Sequence, residues 1–329
     1  MTSTQVVADT VARLVGDAVT APSMHNAQPW RFVFRPDSGV LELRGDPERA
    51  MERTDPDHRA LHLGCAAALF NLRVSAAWHG LGARVGLLPD GSDPWLLAGV
   101  VFGTPAGEDR ELAALHGALR RRHTSRHPFT DEPVPAPLLD GLCAAARLEG
   151  CRLTLPDRWH TEAVLSLVRD AEHHEEMDPS ARAETAAWTT GGRGAAPAPR
   201  DDGIPAAAFG PRSAGPASVR DFGRAHPDPD RGWAVFEEHP QLALLGTADD
   251  TAADWLRAGQ ALERVLLQAT ADGLATSMTS QPLEWPELRW AVRDPLVSLG
   301  HVQMVLRLGY GPAGAATPRR PVTEVLELG

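Results

Sequence analysis

Two stretches of this chain repeat one apolar helical pattern in the same register. Leu61 to Gly80 and Trp255 to Gly273 both carry apolar residues at helical spacing, and both stop at glycine. Glycine closes a helix most readily, because it enters the left-handed conformation without penalty. Laid over one another without a gap, Ala68–Leu81 and Ala261–Leu274 match at Ala68/Ala261, Leu69/Leu262, Ala76/Ala269, Gly80/Gly273 and Leu81/Leu274. Helix-then-strand order surrounds both copies. The pattern predicts a duplication, in which two diverged halves of one α+β unit are fused into the covalent counterpart of a symmetric dimer. The boundary is placed between residues 105 and 106, and 329 residues suffice for two domains.

The remaining segments fit that plan. Thr4 to Val19 reads as an amphipathic helix with Val7, Val11, Leu14 and Val15 on one stripe. Strands are expected at Trp30–Phe34, Leu41–Arg44, Arg84–Leu88 and Trp95–Phe102, then at Cys151–Leu155 and Met304–Leu308. Helices are expected at Glu111–Arg121, Pro137–Leu148 and Glu162–Glu175. Residues 176–240 are rich in Ala, Gly, Pro, Ser and Arg with weak periodicity. A loop of that length inside a compact chain is usually functional or disordered. Tyr310 to Pro321 is a Pro/Gly-rich arm.

Composition narrows the chemistry. The chain has 32 Lys+Arg residues, and every one is arginine. Schiff-base lysine enzymes and P-loop nucleotide sites are thereby excluded. Any anion site must be built from arginine forks, hydroxyls and backbone N–H groups. A net charge of −11 argues against nucleic acid or an anionic membrane as partner. Cys65, Cys143 and Cys151 show no paired spacing, and no signal peptide is visible, so reduced thiols and a cytoplasmic location are expected. No run of 18 apolar residues suggests a membrane span. There is no G-x-S-x-G or H-E-x-x-H motif, and the glycines of Gly80–Gly86 have the wrong spacing for a dinucleotide fingerprint. His58 with His62, and His173-His174-Glu175-Glu176, read as structural, so no metal is expected.

Two loops stand out. Arg120-Arg121-Arg122-His123-Thr124-Ser125-Arg126 crowds four arginines and two hydroxyls at a helix end, a composition suited to a phosphate dianion. Pro22-Ser23-Met24-His25-Asn26-Ala27-Gln28-Pro29-Trp30 offers donors and acceptors on a backbone stiffened by proline. Taken alone, each loop also reads as an ordinary turn.

Together the loops carry a resemblance. Pro22-Ser23-x-x-Asn26-x-Gln28-Pro29-Trp30-x-Phe32 resembles the P-S-x-x-N-x-Q-P-W-x-F segment of FMN-dependent nitroreductases, and Arg122 to Phe129 resembles their R-x-S-x-[KR]-x-F segment. The order of the two is inverted here, and each half lacks the other's motif. That arrangement is similar to the Acg family of fused chains, which have one flavin site. Asp202-Gly203-Ile204-Pro205 and the Arg307–Pro321 ending also look like that family.

The resemblance implies a nitroreductase-like fold and an oxidoreductase. It would pass electrons from NAD(P)H through one FMN to a nitro, quinone or other small-molecule acceptor. Arg122 and Thr124, with Arg319 or Arg320, would hold the FMN phosphate, and Arg126 would face the flavin pyrimidine edge. Ser23, Met24, His25, Asn26 and Gln28 would meet the flavin from the other half. The turn at Ala275-Thr276-Ser277-Met278 would present backbone groups to the ring. No protein acid or base is required, because the flavin carries the chemistry. Residues 176–240 would form a lid, with Trp188, Phe209 and Phe222 as plugs. A monomer would suffice. The alternative is an FMN storage or sequestration protein with little turnover.

Overall fold

A computed structural model describes residues 3–107, 109–190, 200–214, 219–224, 228, 230–293 and 300–329. Helix α1 (Ser3–Ala18) buries Val11, Leu14, Val15 and Ala18 along the expected stripe. A loop leads to the hairpin of β1 (Trp30–Arg35) and β2 (Val40–Gly45), then to α2 (Arg59–Trp78), β3 (Gly82–Leu87) and β4 (Leu96–Gly103). Helices α3 (Asp109–Ala114) and α4 (Ala136–Leu148) flank the arginine loop. Strand β5 (Arg152–Thr154) and helices α5 (Arg158–Met177) and α6 (Pro179–Ala187) follow. Besides α6, the described part of residues 176–240 has 3-10 turns at Ala206–Ala208 and Phe222–Arg224 and two-residue strands, β6 (Thr189–Thr190) with β7 (Ile204–Pro205) and β8 (Arg212–Ser213) with β9 (Trp233–Ala234). Then come β10 (Gln241–Thr247), α7 (Ala252–Ala271), β11 (Ala275–Thr279), α8 (Pro286–Ala291), β12 (His301–Gly309), α9 (Val322–Val325) and β13 (Leu326–Leu328).

Two sheets result. One has strand order β13-β1-β2-β4-β3, the other β11-β12-β10-β5. Strand β13 runs parallel to β1, with Phe32 opposite Leu326, so residues almost 300 positions apart share a sheet edge. Before that edge, the arm at 310–321 touches both loops singled out above: the Ser125 hydroxyl donates to the Pro312 carbonyl (2.8 Å) and Arg319 donates to Asn26 Oδ1 (2.9 Å).

Helices α2 and α7 pack against each other between the sheets. By length and composition α2 could pass for a membrane span, but nearly all of it is buried here, as in a core helix. The closest approach is at Gly259. A Cβ there would sit 2.3 Å from the Leu63 carbonyl oxygen and 2.6 Å from Ala66 Cβ. Both helices end at a left-handed glycine, Gly80 (φ 73°) and Gly273 (φ 84°). A Thr251/Asp254 capping box starts α7.

Three expectations change. The helix expected at Glu111–Arg121 stops at Ala114, and a 3-10 turn at His116–Ala118 follows it. That turn swings Arg122 inward, and its N–H donates to the Ala118 carbonyl at 2.9 Å. The turn expected at Ala275–Met278 is strand β11, paired along its length with β12. Strand β10 is not among the expected elements, and neither are α6, α8, α9 and β13. The near-continuous apolar run of β10, Leu242–Leu245, is buried on both faces, and such a strand lacks the alternation that marks a half-exposed one.

Candidate functional site

The loop before β1 is held in a conformation its residues do not prefer. His25, Asn26 and Gln28 all have positive φ, at 48°, 56° and 53°. Each such residue costs about 1–3 kcal/mol and persists only where its surroundings enforce it. Here the Ser23 hydroxyl accepts the Gln28 N–H (2.9 Å), and the Ser23 carbonyl accepts the Asn26 N–H (3.0 Å). Gln28 Oε1 accepts the Arg320 N–H (2.8 Å), and Gln28 Nε2 donates to the Asp201 carbonyl (2.7 Å). The Asn26 amide donates to the Gly203 carbonyl (2.9 Å), and its oxygen accepts from Arg319 (2.9 Å). The loop is therefore clamped between the 201–203 turn and the arm.

The arginine loop docks on the outer edge of β11. Thr124 bridges Thr276, and the Ser125 N–H donates to the Thr276 carbonyl at 2.8 Å. Downstream, Arg307 is fully buried over the Phe129 ring, 3.7 Å from its centroid. Glu237 pairs with Arg307 and accepts the Phe129 N–H (3.0 Å). The Phe129 end of the motif is thus an anchor, and the Arg122–Arg126 end is free to face a cavity.

That cavity contains about 1150 Å³ of unfilled space including its mouth. Ser23, Met24, His25 and Asn26 form one wall, and Arg122, Thr124 and Arg126 form another. Met278 and Arg319 close it. These nine anticipated residues converge. Gln28, Thr276, Ser277 and Arg320 do not line the cavity and belong to its frame. Arg320 turns toward the Gln28 carbonyl (3.4 Å) and Glu324, so Arg319 is the arm's cation at the site. On its outer edge β11 gives the Thr276 carbonyl to the Ser125 N–H, and of the anticipated 275–278 segment only Met278 lines the cavity.

Electrostatics distinguish this cavity. Arg59, Arg122, Arg126, Arg220 and Arg319 line it, whereas Glu284 is its one lining carboxylate among the described residues. Arg319 is held by the carbonyls of Thr20 (3.1 Å) and Ala21 (3.2 Å) rather than by a carboxylate. Burial, then Arg122, pull its pKa down to about 9. Arg126 donates to the Ala208 carbonyl (2.9 Å), and burial followed by Arg220 pulls it down to about 10. Arg122 donates to the Thr20 carbonyl (3.1 Å) and lies 3.4 Å from the fully buried Glu263. Buried cations in such excess are costly unless an anion joins them.

The 176–240 segment supplies Ile204, Val219, Arg220 and Phe222 to the cavity. Phe222 lies edge-on to His25, with centroids 5.4 Å apart, and beneath Arg126 at 4.9 Å. Of the three anticipated plugs, only Phe222 reaches the cavity. Phe209 is buried in a small cluster with Ile204 and Ala208, and Trp188 sits 5.9 Å from the Arg49 guanidinium. Arg220 pairs with Glu284 (2.5 Å) and Glu175 (3.5 Å) and donates to His25 Nε2 (3.3 Å). Burial opposes the Arg220 charge, but the two carboxylates outweigh it and raise its pKa. Burial first, then Arg220 and Arg126, keep His25 well below its ordinary pKa and hence neutral.

Sequence reasoning missed Arg59, Arg220, Glu263 and Glu284. Glu263 alone left a signal: it falls on the stripe of Leu256, Gly259 and Leu266, where a carboxylate demands a buried cation.

The chain is similar to known proteins. A family profile described as "Nitroreductase family" matches residues 119–310. The chain is 35% identical over 332 aligned positions to "Putative NAD(P)H nitroreductase Rv3131" of Mycobacterium tuberculosis, covering 97% of this chain and 92% of that one. It is 32% identical to "Putative NAD(P)H nitroreductase acg" of the same organism, covering 100% and 98%. Among solved structures, an Anabaena variabilis protein described as "a putative nitroreductase" superposes with a TM-score of 0.50 at 12% identity, over 92% of this chain and 88% of that one. With its α+β fold, its arginine-lined cavity and these relatives, the chain belongs to the nitroreductase family.

Proposed function

We propose that the protein is an FMN-dependent oxidoreductase, taking electrons from NAD(P)H and passing them to a nitro, quinone or other small organic acceptor. One observation carries the reading: three arginines from distant segments, the buried Arg122 and the half-buried Arg126 and Arg319, line one cavity with too few carboxylates to balance them. The residues fit a flavin mononucleotide. Arg122 and Arg319 with the Thr124 hydroxyl would hold the phosphate, since arginine forks match its oxygens. Arg126 would place a permanent cation beside the ring system, favouring the reduced, more negative form. The Ser23–Asn26 wall would orient the cofactor, and Phe222 and Met278 would exclude water. Bound there, FMN supplies the two-electron chemistry, so no protein acid or base is assigned. The names of the mycobacterial relatives support NAD(P)H as donor.

We also read the chain as two diverged halves, 1–105 and 106–329. Each has a long central helix and supplies one sheet, except that β13 from the second half completes the first half's sheet, and the family profile matches part of the second half only. In that reading the halves provide one another's interface, and a monomer suffices.

The purified protein should be yellow. Under anaerobic conditions its absorbance near 450 nm should bleach with NADPH or NADH and return with a nitro or quinone acceptor. A colourless protein that takes up no FMN refutes the reading. A yellow protein that neither nicotinamide bleaches refutes the reductase and leaves flavin storage.

A further inference from the structure

One buried carboxylate behind the arginines has no role in that reading. Glu263, on α7, is fully excluded from solvent. Its Oε1 lies 3.4 Å from Arg122 Nε, yet neither carboxylate oxygen accepts a well-formed hydrogen bond, and the Arg122 Nε proton has no acceptor. Asn71 on α2 is the neutral neighbour, and its amide donates to the Thr20 hydroxyl at 3.1 Å. The charged groups facing Glu263 are Arg122 from the loop after α3 and Arg319 from the arm. His123, beside Arg122, is held below its ordinary pKa by burial, Arg122 and Arg319, so it adds no charge.

The charges can be counted. Among the groups that act on Glu263, two guanidiniums and its own carboxylate sum to +1, while Arg59, Arg126 and Arg220 line the cavity without acting on it. A phosphate dianion would bring that sum to −1 in a water-poor interior, where uncompensated charge is expensive. One proton on Glu263 restores neutrality.

We propose that Glu263 is the charge-compensating residue of the anion site: it balances Arg122 and Arg319 beforehand and takes one proton from solvent as a phosphate dianion settles between them. The inference rests on the FMN reading. Glu263 acts through Arg122 and is a positioning residue rather than a catalytic one. The step moves one proton from water to a glutamate oxygen and breaks no other bond. Burial already raises the Glu263 carboxyl to about 7, against the opposing pull of Arg122, the Asn71 amide and Arg319. An arriving dianion would raise it further.

The sign of the pH effect separates this from ordinary phosphate titration. The second ionisation of a phosphate monoester lies near pH 6, so rising pH alone favours the dianion and tighter binding. If Glu263 must be reprotonated, affinity instead falls above about pH 7, approaching tenfold per pH unit.

The test titrates the full-length flavin-free chain with FMN and with riboflavin, which has no phosphate, at pH 6.5, 7.5 and 8.5. Wild type should lose about tenfold in FMN affinity between pH 7.5 and 8.5, with riboflavin unchanged. Glu263→Gln should be flat for both. Calorimetry at pH 8 in buffers of different ionisation enthalpy should count about one proton taken up per FMN in wild type, a result that needs no variant. Tight FMN binding with a flat wild-type profile, or an unchanged slope in Glu263→Gln, overturns the proposal alone. Failure to bind FMN at any pH overturns the cofactor reading with it.

Discussion

Gly259→Ala tests the helix packing on which the cavity rests. The added Cβ would lie 2.3 Å from the Leu63 carbonyl oxygen and 2.6 Å from Ala66 Cβ. Ordinary contact needs about 3.4 Å, so α2 and α7 must separate by roughly 1 Å. Neither obstacle is the flexible end of a side chain, so the overpacking cost falls near the upper end of ~1–3 kcal/mol. Alanine returns about 1 kcal/mol of helix propensity. The net loss is about 2 kcal/mol. At ~2.1 cal/mol/K per residue of unfolding entropy, that is roughly a 3 °C fall in Tm. Gly141→Ala is the control. Gly141 lies within α4, and nothing sits within 4 Å of a Cβ there. Propensity acts alone at that position, and Tm should rise by about 1 °C. Leu63 and Gly64 also line the cavity, so Gly259→Ala should hold FMN less tightly while Gly141→Ala should not. Differential scanning calorimetry reads the first effect, and flavin content after gel filtration reads the second. The same sign of Tm shift in both variants would refute the packing argument.

Arg122→Ala should weaken FMN about 100-fold or more, since one charge-assisted fork contributes ~1.5–3 kcal/mol per bond; unchanged flavin content after purification would overturn the assignment. Arg126→Lys keeps the charge but removes the planar fork, and the flavin midpoint potential should move by tens of millivolts, with ~30 mV equal to about 1.4 kcal/mol for two electrons; an identical potential would show that only charge matters there. Burial lifts Asp55 to about 6 even though its carboxylate caps α2 through the Ala60 and Leu61 N–H groups. The folded state therefore holds the Asp55 proton that the unfolded chain gives up near 4, and stability drains away as pH rises from about 4 to 6, by on the order of 2–3 kcal/mol. Denaturant midpoints of wild type and Asp55→Asn across that range should differ in slope, and parallel curves would count against it.

Local pattern made much of the fold legible. The central helices, the first hairpin and α4 follow directly from periodicity and punctuation by Gly and Pro. Strand β10 escaped because a strand buried on both faces shows no alternation. The β1–β13 pairing escaped because no local signal joins Phe32 to Leu326. At the site, composition alone made the Arg120–Arg126 cluster visible, but only family resemblance tied it to Ser23 and Asn26. Positive φ at Gln28 had no trace in the sequence, since glutamine does not favour that region; His25 and Asn26 are of types that enter it more readily, but nothing local marked them as doing so. Arg220 lay in a stretch without periodicity, where nothing separates a cavity residue from a solvated one.

The pairing of β13 with β1 also orders events during folding. Arg122 and Arg126 stand about 100 residues after Asn26, whereas Arg319 must return across 293 positions to reach it, and β13 follows directly behind. Contacts between segments so far apart form late, because the intervening loop must be closed before they repay it. Partly folded chains would then have the middle arginines without the third cation and without the clamp on the Gln28 turn. On the FMN reading, cofactor retention would serve as a quality check, reporting that the first strand has joined the last.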